Sequence, residues 1–294
     1  MGFCFIVFQP CFARRHCLSF VFGLWVMTLT YSNGVYSTEV INQTTQQLPV
    51  PTEIKITSTT PASFAYYLEL IQQSLIKAGT PLKINYQGKL NQQRQDKYFS
   101  ENKLSLIIRL QSSLLDSNYL RVNVGLTREL IGKRVLLISP EHQRIFDNIH
   151  TKQDLINAGL TGGFGEGWFD ATVWQYNQLP YIEFSGDKSK IFNMLASGRR
   201  HFEYFSRGVN EILHEHARYP DLVIEQHLLF EYHNDFFIYV NKDNPQLHSL
   251  LESALIQADT SGLMDELMMK HWGNLEERLN LLQRRHIDLK MPPI

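Results

Sequence analysis

The sequence predicts an α/β protein made of two units, each with a mostly parallel β-sheet flanked by helices. Three observations lead to this prediction. Strand-like runs alternate with helix-like runs from Glu53 onward, and the alternation starts again at Leu120. Hydrophobic residues make up 44% of the 294 residues, which is enough to build the cores of two modest units.

The first unit begins with a strand and a long helix. Residues 53–58 alternate as a strand does, and residues 63–78 carry apolar side chains at helical spacing up to Gly79. The pattern then predicts a strand at 82–86, a helix at 90–102 and a strand at 104–110. This order implies parallel strands, because each helix returns the chain to the same end of the sheet.

The second unit repeats the alternation. Its predicted strands are 120–124, 133–139, 181–184, 203–205 and 222–225. Its predicted helices are 151–157, one near Asp170, 188–196 and 209–218. A glycine-rich turn is predicted at 162–167, and a strand at 236–240 with helices at 245–257 and 261–272 closes the pattern.

The N-terminal segment has the order of a secretory signal. Arg14 and Arg15 precede an apolar stretch at 18–29, and small residues follow it. We expect a signal peptide over 1–37 with cleavage after Ser37, then a flexible lead-in over 38–52 and a periplasmic location. A membrane anchor is the alternative, but the apolar stretch is shorter than the roughly 20 residues that span a bilayer.

Cysteine content and charge exclude several kinds of site. Cys4, Cys11 and Cys17 all lie in the predicted leader, so the processed chain would have no thiol for catalysis, metal binding or a disulfide. The formal net charge is −1, and no Lys/Arg-rich run could neutralise a row of phosphates. Nucleic acid is therefore not an expected partner.

Five local motifs occur in an order that resembles solute-binding protein family 3. They are a Thr/Ser-rich turn at 58–64, the segment VNVGLTRELIGKRVLLI at 122–138, GEGWFDAT at 165–172, ASGRRHFEYFSRGVNEI at 196–212, and FFIYVNKDNPQL at 236–247 followed by GLMDELMMKHWG. The resemblance covers about 53–273 and extends to members described as transporter substrate-binding domains. The chain departs from the pattern around Arg200 and His201, and at Ser206, where proline is common.

The resemblance implies the type II periplasmic binding protein fold. Two lobes would be joined by two crossover strands, near 122–124 and 226–232. Lobe 1 would comprise 53–124 and 228–294, and lobe 2 would comprise 125–227. The ligand would bind in the cleft between the lobes, which would close around it like a hinge.

Backbone groups of lobe 2 are the first candidates for ligand contact. The predicted turn at 162–167 would let Gly165 approach a ligand, and residues from Asp170 to Thr172 would open a helix whose free N–H groups favour an anion. Asp170 could equally be only the helix cap. The turn is a poor phosphate motif, since no Lys-Ser/Thr follows it.

Two arginines are candidates for an anionic group of the solute. Arg207 lies where amino-acid-binding relatives usually place an acid, and its planar fork suits a carboxylate or phosphate. The alternative is a surface pair between Arg207 and Glu211, four residues on in a helix. Arg109 ends the buried strand 104–110 and is the lobe 1 counterpart.

Aromatic and hydroxyl side chains complete the prediction. Large aromatics usually pack in cores, so we expect only one of the aromatic residues at the start of the first helix to form a wall of the cleft. Trp168 and Tyr204 are similar candidates for such a wall. The full set of predicted ligand-binding residues is Thr60, Phe64, Arg109, Thr127, Gly165, Trp168, Asp170, Thr172, Tyr204 and Arg207.

The sequence supports a binding protein over an enzyme. His214 and His216 are two apart on a predicted helix, no three-ligand metal cluster occurs, and no nucleophile elbow is present, so we expect no metal, cofactor or catalytic residue. The predicted function is capture of a small polar, anionic or amino-acid-like solute by a monomer for an ABC-type membrane transporter. The alternatives are a sensing module that signals to a membrane receptor, or a lyase or dehydratase on the same scaffold.

Overall fold

The computed structural model describes residues 53–58, 61–198 and 202–293. The strands in chain order are β1 (Glu53–Ser58), β2 (Lys83–Lys89), β3 (Leu106–Leu110), β4 (Leu120–Arg121), β5 (Lys133–Ile138), β6 (Gly162–Gly165), β7 (Tyr181–Phe184), β8 (Tyr204–Gly208), β9 (Val223–Ile224), β10 (Leu228–Glu231), β11 (Phe236–Val240) and β12 (Arg285–Asp288). The α-helices are α1 (Pro61–Lys77), α2 (Gln92–Ser100), α3 (Ser113–Asn118), α4 (Gln143–Phe146), α5 (Lys152–Asn157), α6 (Phe169–Tyr176), α7 (Ser189–Ser197), α8 (Val209–His216), α9 (Pro245–Thr260), α10 (Leu263–Trp272) and α11 (Leu275–Arg278).

The first lobe holds two small sheets under a layer of helices. Strands β1 and β2 pair in parallel, while β3 and β4 pair antiparallel with β11. The backbone N–H of Ser105 donates to the carbonyl of Lys55 and joins the two sheets. Helices α1, α9 and α10 supply apolar side chains such as Leu70, Leu255 and Met264 to one fully buried core. The apolar residues whose helical spacing predicted these helices form the face that this core buries.

The second lobe is a mixed sheet with the order β12-β10-β5-β8-β6-β7, and β9 also pairs with β5. Side chains of β5 alternate between two cores, with Leu136 and Ile138 on one face and Val135 and Leu137 on the other. This alternation explains the continuous apolar run in the sequence, since a strand covered on both faces needs no polar side.

The glycine-rich segment at 162–167 was predicted as a turn, and this prediction is wrong for most of it. Residues Gly162–Gly165 form the buried strand β6 between β7 and β8. A Cβ on Gly163 would meet the ring of Phe202 at 2.6 Å, and a Cβ on Gly165 would meet the Trp168 indole at 2.4 Å. Glycine is therefore required here for aromatic packing, and only Gly167, with φ of 73°, makes the turn that follows.

The C-terminal part of the chain lies with the second lobe, whereas 228–294 was predicted to belong to lobe 1 as a whole. Strand β10 pairs with β5, and β12 pairs in parallel with β10. Leu275 and Ile287 are buried in second-lobe cores. The chain thus crosses a third time between α10 and α11, and only β11, α9 and α10 complete the first lobe. Periodicity indicated no strand at β12, and β10 falls within the crossover strand that the resemblance implied near 226–232.

Two crossover segments, from β4 to β5 and from β10 to β11, join the lobes and are tied by a buried carboxylate. Asp235 accepts hydrogen bonds from the backbone N–H of Thr127 and Glu129, both at 2.9 Å, and from the Thr127 hydroxyl at 2.5 Å. A Cβ on Gly132 would lie 2.1 Å from the carbonyl oxygen of Tyr232, so the two segments are in direct contact. The hinge lies several residues after the predicted positions.

The structure leaves some predictions untested. The predicted leader, the lead-in, Thr60, Arg200 and His201 lie outside the described residues. Within residues 53–58, 61–198 and 202–293, no helix is both long enough and apolar enough to cross a bilayer.

Candidate functional site

A cleft of about 660 Å³ lies between the two lobes. Its first-lobe wall comes from β1, α1, α2, β3 and α3, and its second-lobe wall comes from the ends of β6 and β8 and the first turns of α6 and α8. Strand ends and helix starts meet at this edge of an α/β sheet, where polar backbone and side-chain groups can face a small molecule.

Arg207 lies in the second-lobe wall of the cleft, and carboxylates already neutralise its charge. Its Nε and Nη2 donate to the Glu215 carboxylate at 2.6 and 2.9 Å, and Nη2 also contacts Glu211 at 2.8 Å. Lys188 donates to Glu215 at 2.7 Å, and the guanidinium lies 5.2 Å from the ring centre of Trp168. Burial alone would raise the pKa of Glu215, but the charges of Arg207 and Lys188 outweigh it and lower this pKa to about 2. Arg207 therefore has a structural role beside any contact with a solute.

A second buried ion pair lies beside the first. Arg134 contacts Asp170 at 3.1 Å, and the Tyr232 hydroxyl donates to the same carboxylate at 2.6 Å. The side chains of Arg134 and Asp170 are 1% and 8% exposed. Asp170 is not the cap of α6, since Trp168 takes that position. Contact between Asp170 and a solute stays a prediction. Its carboxylate holds the start of α6 against β5.

Arg109 is the main cation of the first-lobe wall. It donates to Asp96 at 2.7 Å, to Gln95 at 3.1 Å and to the carbonyl of Ile108 at 2.9 Å. The side chain is 15% exposed, so its charge is shared between Asp96 and the open cleft.

Every cation that lines the cleft in the described part of the chain is likewise paired with a carboxylate. Each of the following has a carboxylate within 4 Å: Lys89, Arg109, Arg134, Lys188 and Arg207. A bare anion would find no unpaired cation here, and it would have to compete with these carboxylates. This charge balance removes the reason for preferring an anionic solute, which rested on Arg207 alone.

Aromatic rings from both lobes give the cleft its apolar surface. Phe64 and Tyr67 of α1 lie with ring centres 6.0 Å apart, and both line the cleft. Trp168 faces them from the second lobe and stacks on the buried ring of Phe205 at 5.9 Å. A solute with both polar and apolar parts would find partners for each.

Tyr67 lies close to the second lobe. Burial raises its pKa well above the usual value, and nearby Glu211, on α8 of the second lobe, adds to this. Tyr67 belongs to the aromatic group at the start of the first helix that the sequence indicated for the cleft wall. Asn210 and Arg134 were not predicted, because nothing local distinguishes a cleft side chain from a core side chain.

The mouth of the cleft is bridged by an ion pair. Lys89 at the end of β2 contacts Asp187 of the second lobe at 2.5 Å, and Gln93 donates to Glu166 at 3.5 Å. The hydrogen bond from Lys89 lowers the pKa of Asp187 to about 2. Above about pH 4 the Asp187 carboxylate is ionised and the bridge persists. The bridge is lost as pH falls towards 2, because the carboxylate then becomes protonated. The two lobes are therefore in contact at the mouth of the cleft.

We expect Lys89→Ala to open the lobes partly. The bridge is about half exposed, so its contribution is about 0.2–1 kcal/mol, which shifts the closed-to-open ratio by up to roughly five-fold. Small-angle X-ray scattering should show a larger radius of gyration. Lys83→Ala is the control, because that lysine pairs weakly with Glu53 inside the first lobe. An unchanged radius in Lys89→Ala would mean that other contacts hold the lobes closed.

The structure brings most of the predicted ligand-binding residues to this cleft. Those that line it are Phe64, Arg109, Gly165, Trp168, Asp170, Thr172 and Arg207. Their role in binding stays a prediction.

Two predicted residues lie elsewhere, and these placements correct the sequence analysis. Tyr204 is fully buried in the second-lobe core, where its hydroxyl accepts a hydrogen bond from Trp174 Nε1 at 2.9 Å. Thr127 is fully buried at the hinge against Asp235. No group of three potential metal ligands occurs within the described ranges.

Comparison with known proteins places the fold. No protein-family model matches the chain, and no curated protein matches it by sequence. Solved structures do match: a mutant of ArgBP from T. maritima has a TM-score of 0.56 at 18% identity, over 75% of this chain and 95% of that one. The chain has the type II periplasmic solute-binding fold.

Two further structures with this fold are similar to a comparable degree. The amino acid ABC transporter substrate-binding protein AbpA from Streptococcus pneumoniae, bound to L-arginine, has a TM-score of 0.58 at 14% identity, over 75% of this chain and 94% of that one. The ancestral amino acid-binding protein AncCDT-1, a precursor of cyclohexadienyl dehydratase, has a TM-score of 0.57 at 12% identity, over 75% and 96%. At such identities the similarity establishes the fold alone.

Proposed function

We propose that this protein is an extracytoplasmic solute-binding protein that captures a small polar, amino-acid-like solute between its lobes and delivers it to a membrane transporter. The observation that carries the proposal is the cleft itself, which is lined from both lobes and backed by a hinge. Hinged lobes can bury a solute and release it on opening. The L-arginine bound to AbpA supports the choice of an amino-acid-like solute.

The charge balance of the cleft defines the expected solute further. Because its cations are paired, we propose a solute that is neutral overall or zwitterionic rather than a bare anion. The rings of Phe64 and Trp168 favour an apolar part in the same molecule.

We propose that the chain binds its solute without transforming it. A general base works best with a pKa near the operating pH. The pKa of Asp187, which lines the cleft, is lowered to about 2, so this carboxylate is a weak base for proton transfer. The paired state of Asp170 and Arg134 likewise favours a structural role for that carboxylate.

Native mass spectrometry and a solute panel test the proposal. We expect a small molecule to co-purify, and one or more of the common L-amino acids to raise the melting temperature. Solute at 100 times its Kd stabilises the folded state by about 2.7 kcal/mol, which corresponds to a rise of roughly 5–10 °C. Phosphate and citrate serve as anionic comparisons. A shift with the anions and none with any amino acid would contradict the proposed solute class.

Replacing Phe64 by alanine should weaken binding of the amino acid that gives the largest shift. The ring is only partly buried against the first-lobe core, where it also contacts Tyr67 and Tyr86, so we expect the fold to survive its loss. Aromatic contacts contribute about 0.5–1.5 kcal/mol, which predicts a loss of affinity of up to roughly ten-fold in calorimetric titration. Tyr176→Ala, an exposed aromatic outside the cleft, is the matched control. Equal affinities in both variants would place the solute elsewhere.

A further inference from the structure

The segment after β12 returns to the cleft between the lobes. Strand β12 runs parallel to β10, which itself leads into the hinge. After β12, the backbone N–H of Leu289 donates to the carbonyl of Glu231 at 2.8 Å, and Met291 packs against the second-lobe core. The next residues, Pro292 and Pro293, line the cleft. We call residues 289–293 the strap.

One side chain anchors the strap to the helix that opens at the cleft. Asn177 lies at the end of α6 and is 3% exposed. Its Oδ1 accepts from the Lys290 N–H at 2.9 Å, and its Nδ2 donates to the Lys290 carbonyl at 2.8 Å. The strap is therefore fixed at the far end of α6, and its proline residues lie at the cleft where α6 begins.

Proline makes this end of the strap stiff. The ring fixes φ near −65°, and it restricts the preceding residue to extended conformations. Met291 and Pro292 both precede a proline, so two successive residues are restricted. A stiff, anchored segment loses little conformational entropy when a molecule packs against it.

We propose that the strap forms part of the wall of the solute-binding cleft, with the rings of Pro292 and Pro293 as an apolar contact surface. The proposal rests on the proposed function for the presence of a solute, and on the contacts of Asn177 and the second-lobe core for the position of the strap. The apolar rings would meet a nonpolar side group of the solute. They would not pair with its charged groups.

Acrylamide quenching of tryptophan fluorescence tests the position of the strap without any solute. The full chain with Trp25→Phe and Trp272→Phe retains Trp168, which lines the cleft, and Trp174, which is fully buried. Changing Pro292→Gly and Pro293→Gly together should raise the Stern–Volmer constant, because the rings no longer shield the cleft. Pro220→Gly, an exposed proline outside the cleft, should leave it unchanged. Equal Stern–Volmer constants in the parent two-tryptophan chain, the double proline variant and the Pro220→Gly variant would overturn the proposal.

The anchor gives an independent test by hydrogen exchange. Asn177→Ala removes both hydrogen bonds to Lys290, so protection of the Lys290 amide should fall roughly ten-fold and quenching should rise as in the double proline variant. Gln175→Ala, at an exposed position of the same helix, should keep that protection. If protection falls and quenching stays constant, the strap is anchored there but does not cover the cleft, and the proposal is wrong.

Binding measurements separate this proposal from the proposed function. With the amino acid that gives the largest melting shift, the double proline variant should show faster dissociation by stopped-flow fluorescence than Pro220→Gly. If no amino acid binds but quenching responds to the proline changes, the position of the strap in the cleft wall is supported and the proposed solute class is contradicted. If binding is normal and neither quenching nor dissociation responds to the proline changes, the proposal for the strap is contradicted and the proposed function is kept.

Discussion

Replacing Glu215 by glutamine is expected to destabilise the second lobe by about 3–5 kcal/mol, because it removes the main partner of a buried arginine. Arg207 is 3% exposed, and Glu211 at 2.8 Å would remain as its carboxylate partner. Lys188 would lose its carboxylate as well. Urea unfolding followed by far-ultraviolet circular dichroism gives the difference in unfolding free energy.

Glu211→Gln is the matched control on the same helix. Glu211 also contacts Arg207, but its side chain is 17% exposed and it does not contact Lys188 in the described structure. We therefore expect a clearly smaller loss of stability. Equal losses in the two variants would contradict the assignment of Glu215 as the main counter-charge.

The same carboxylate predicts a pH dependence. The pKa of Glu215 is about 2 in the folded protein against an ordinary value of 4.5, so its ionised form is favoured by folding. Its contribution is fully present above about pH 4.5 and is lost as pH falls towards 2. Unfolding free energies measured between pH 6 and pH 3 should fall less steeply in Glu215→Gln than in the parent chain. Parallel curves would count against the lowered pKa.

Gly132→Ala is the second large effect that the structure predicts. The new Cβ would lie 2.1 Å from the carbonyl oxygen of Tyr232 and 3.2 Å from that of Asn234, and both are backbone atoms of the other crossover segment. No side-chain rotation relieves such a contact, so the two segments must separate. The loss of the hydrogen bond from Tyr232 N–H to the Gly132 carbonyl, at 3.1 Å, would follow. We expect a loss of stability of about 2–5 kcal/mol.

Gly159→Ala separates this steric effect from backbone strain. Gly159 has φ of 66°, and no atom lies within 4 Å of the position that a Cβ would take, so alanine there should cost only about 1 kcal/mol. Thermal unfolding of both variants gives the comparison. A Gly132→Ala chain as stable as Gly159→Ala would show that the crossovers can move apart freely.

Periodicity in the sequence determined most of the strands and helices. The predicted strands at 53–58, 181–184 and 236–240 coincide with β1, β7 and β11, and the long helices differ by a few residues at their ends. These elements could be predicted because burial of one face, or of both, imposes a period of two or 3.6 that any window of the chain records. The order of the elements then led to a two-lobed α/β fold.

Tertiary structure decided what each side chain contacts. The glycines at 162–165, within the turn predicted over 162–167, form a strand by pairing with β7 and β8. The rings of Phe202 and Trp168 leave no room for a Cβ on Gly163 and Gly165. Arg207 is balanced by Glu215, eight residues on, as well as by Glu211. Local spacing indicated only the nearer of the two carboxylates.

The cleft and the C-terminal segment depend on the same long-range contacts. Tyr67 and Tyr204 are both buried aromatic residues beside apolar runs, yet only Tyr67 lines the cleft. Periodicity indicated no strand at β12, and pairing with β10 from a distant part of the chain fixes its place. The sequence by itself determined most of the helices and strands, because that information is local. Which residues face a solute was decided only by the packing of segments far apart in the chain.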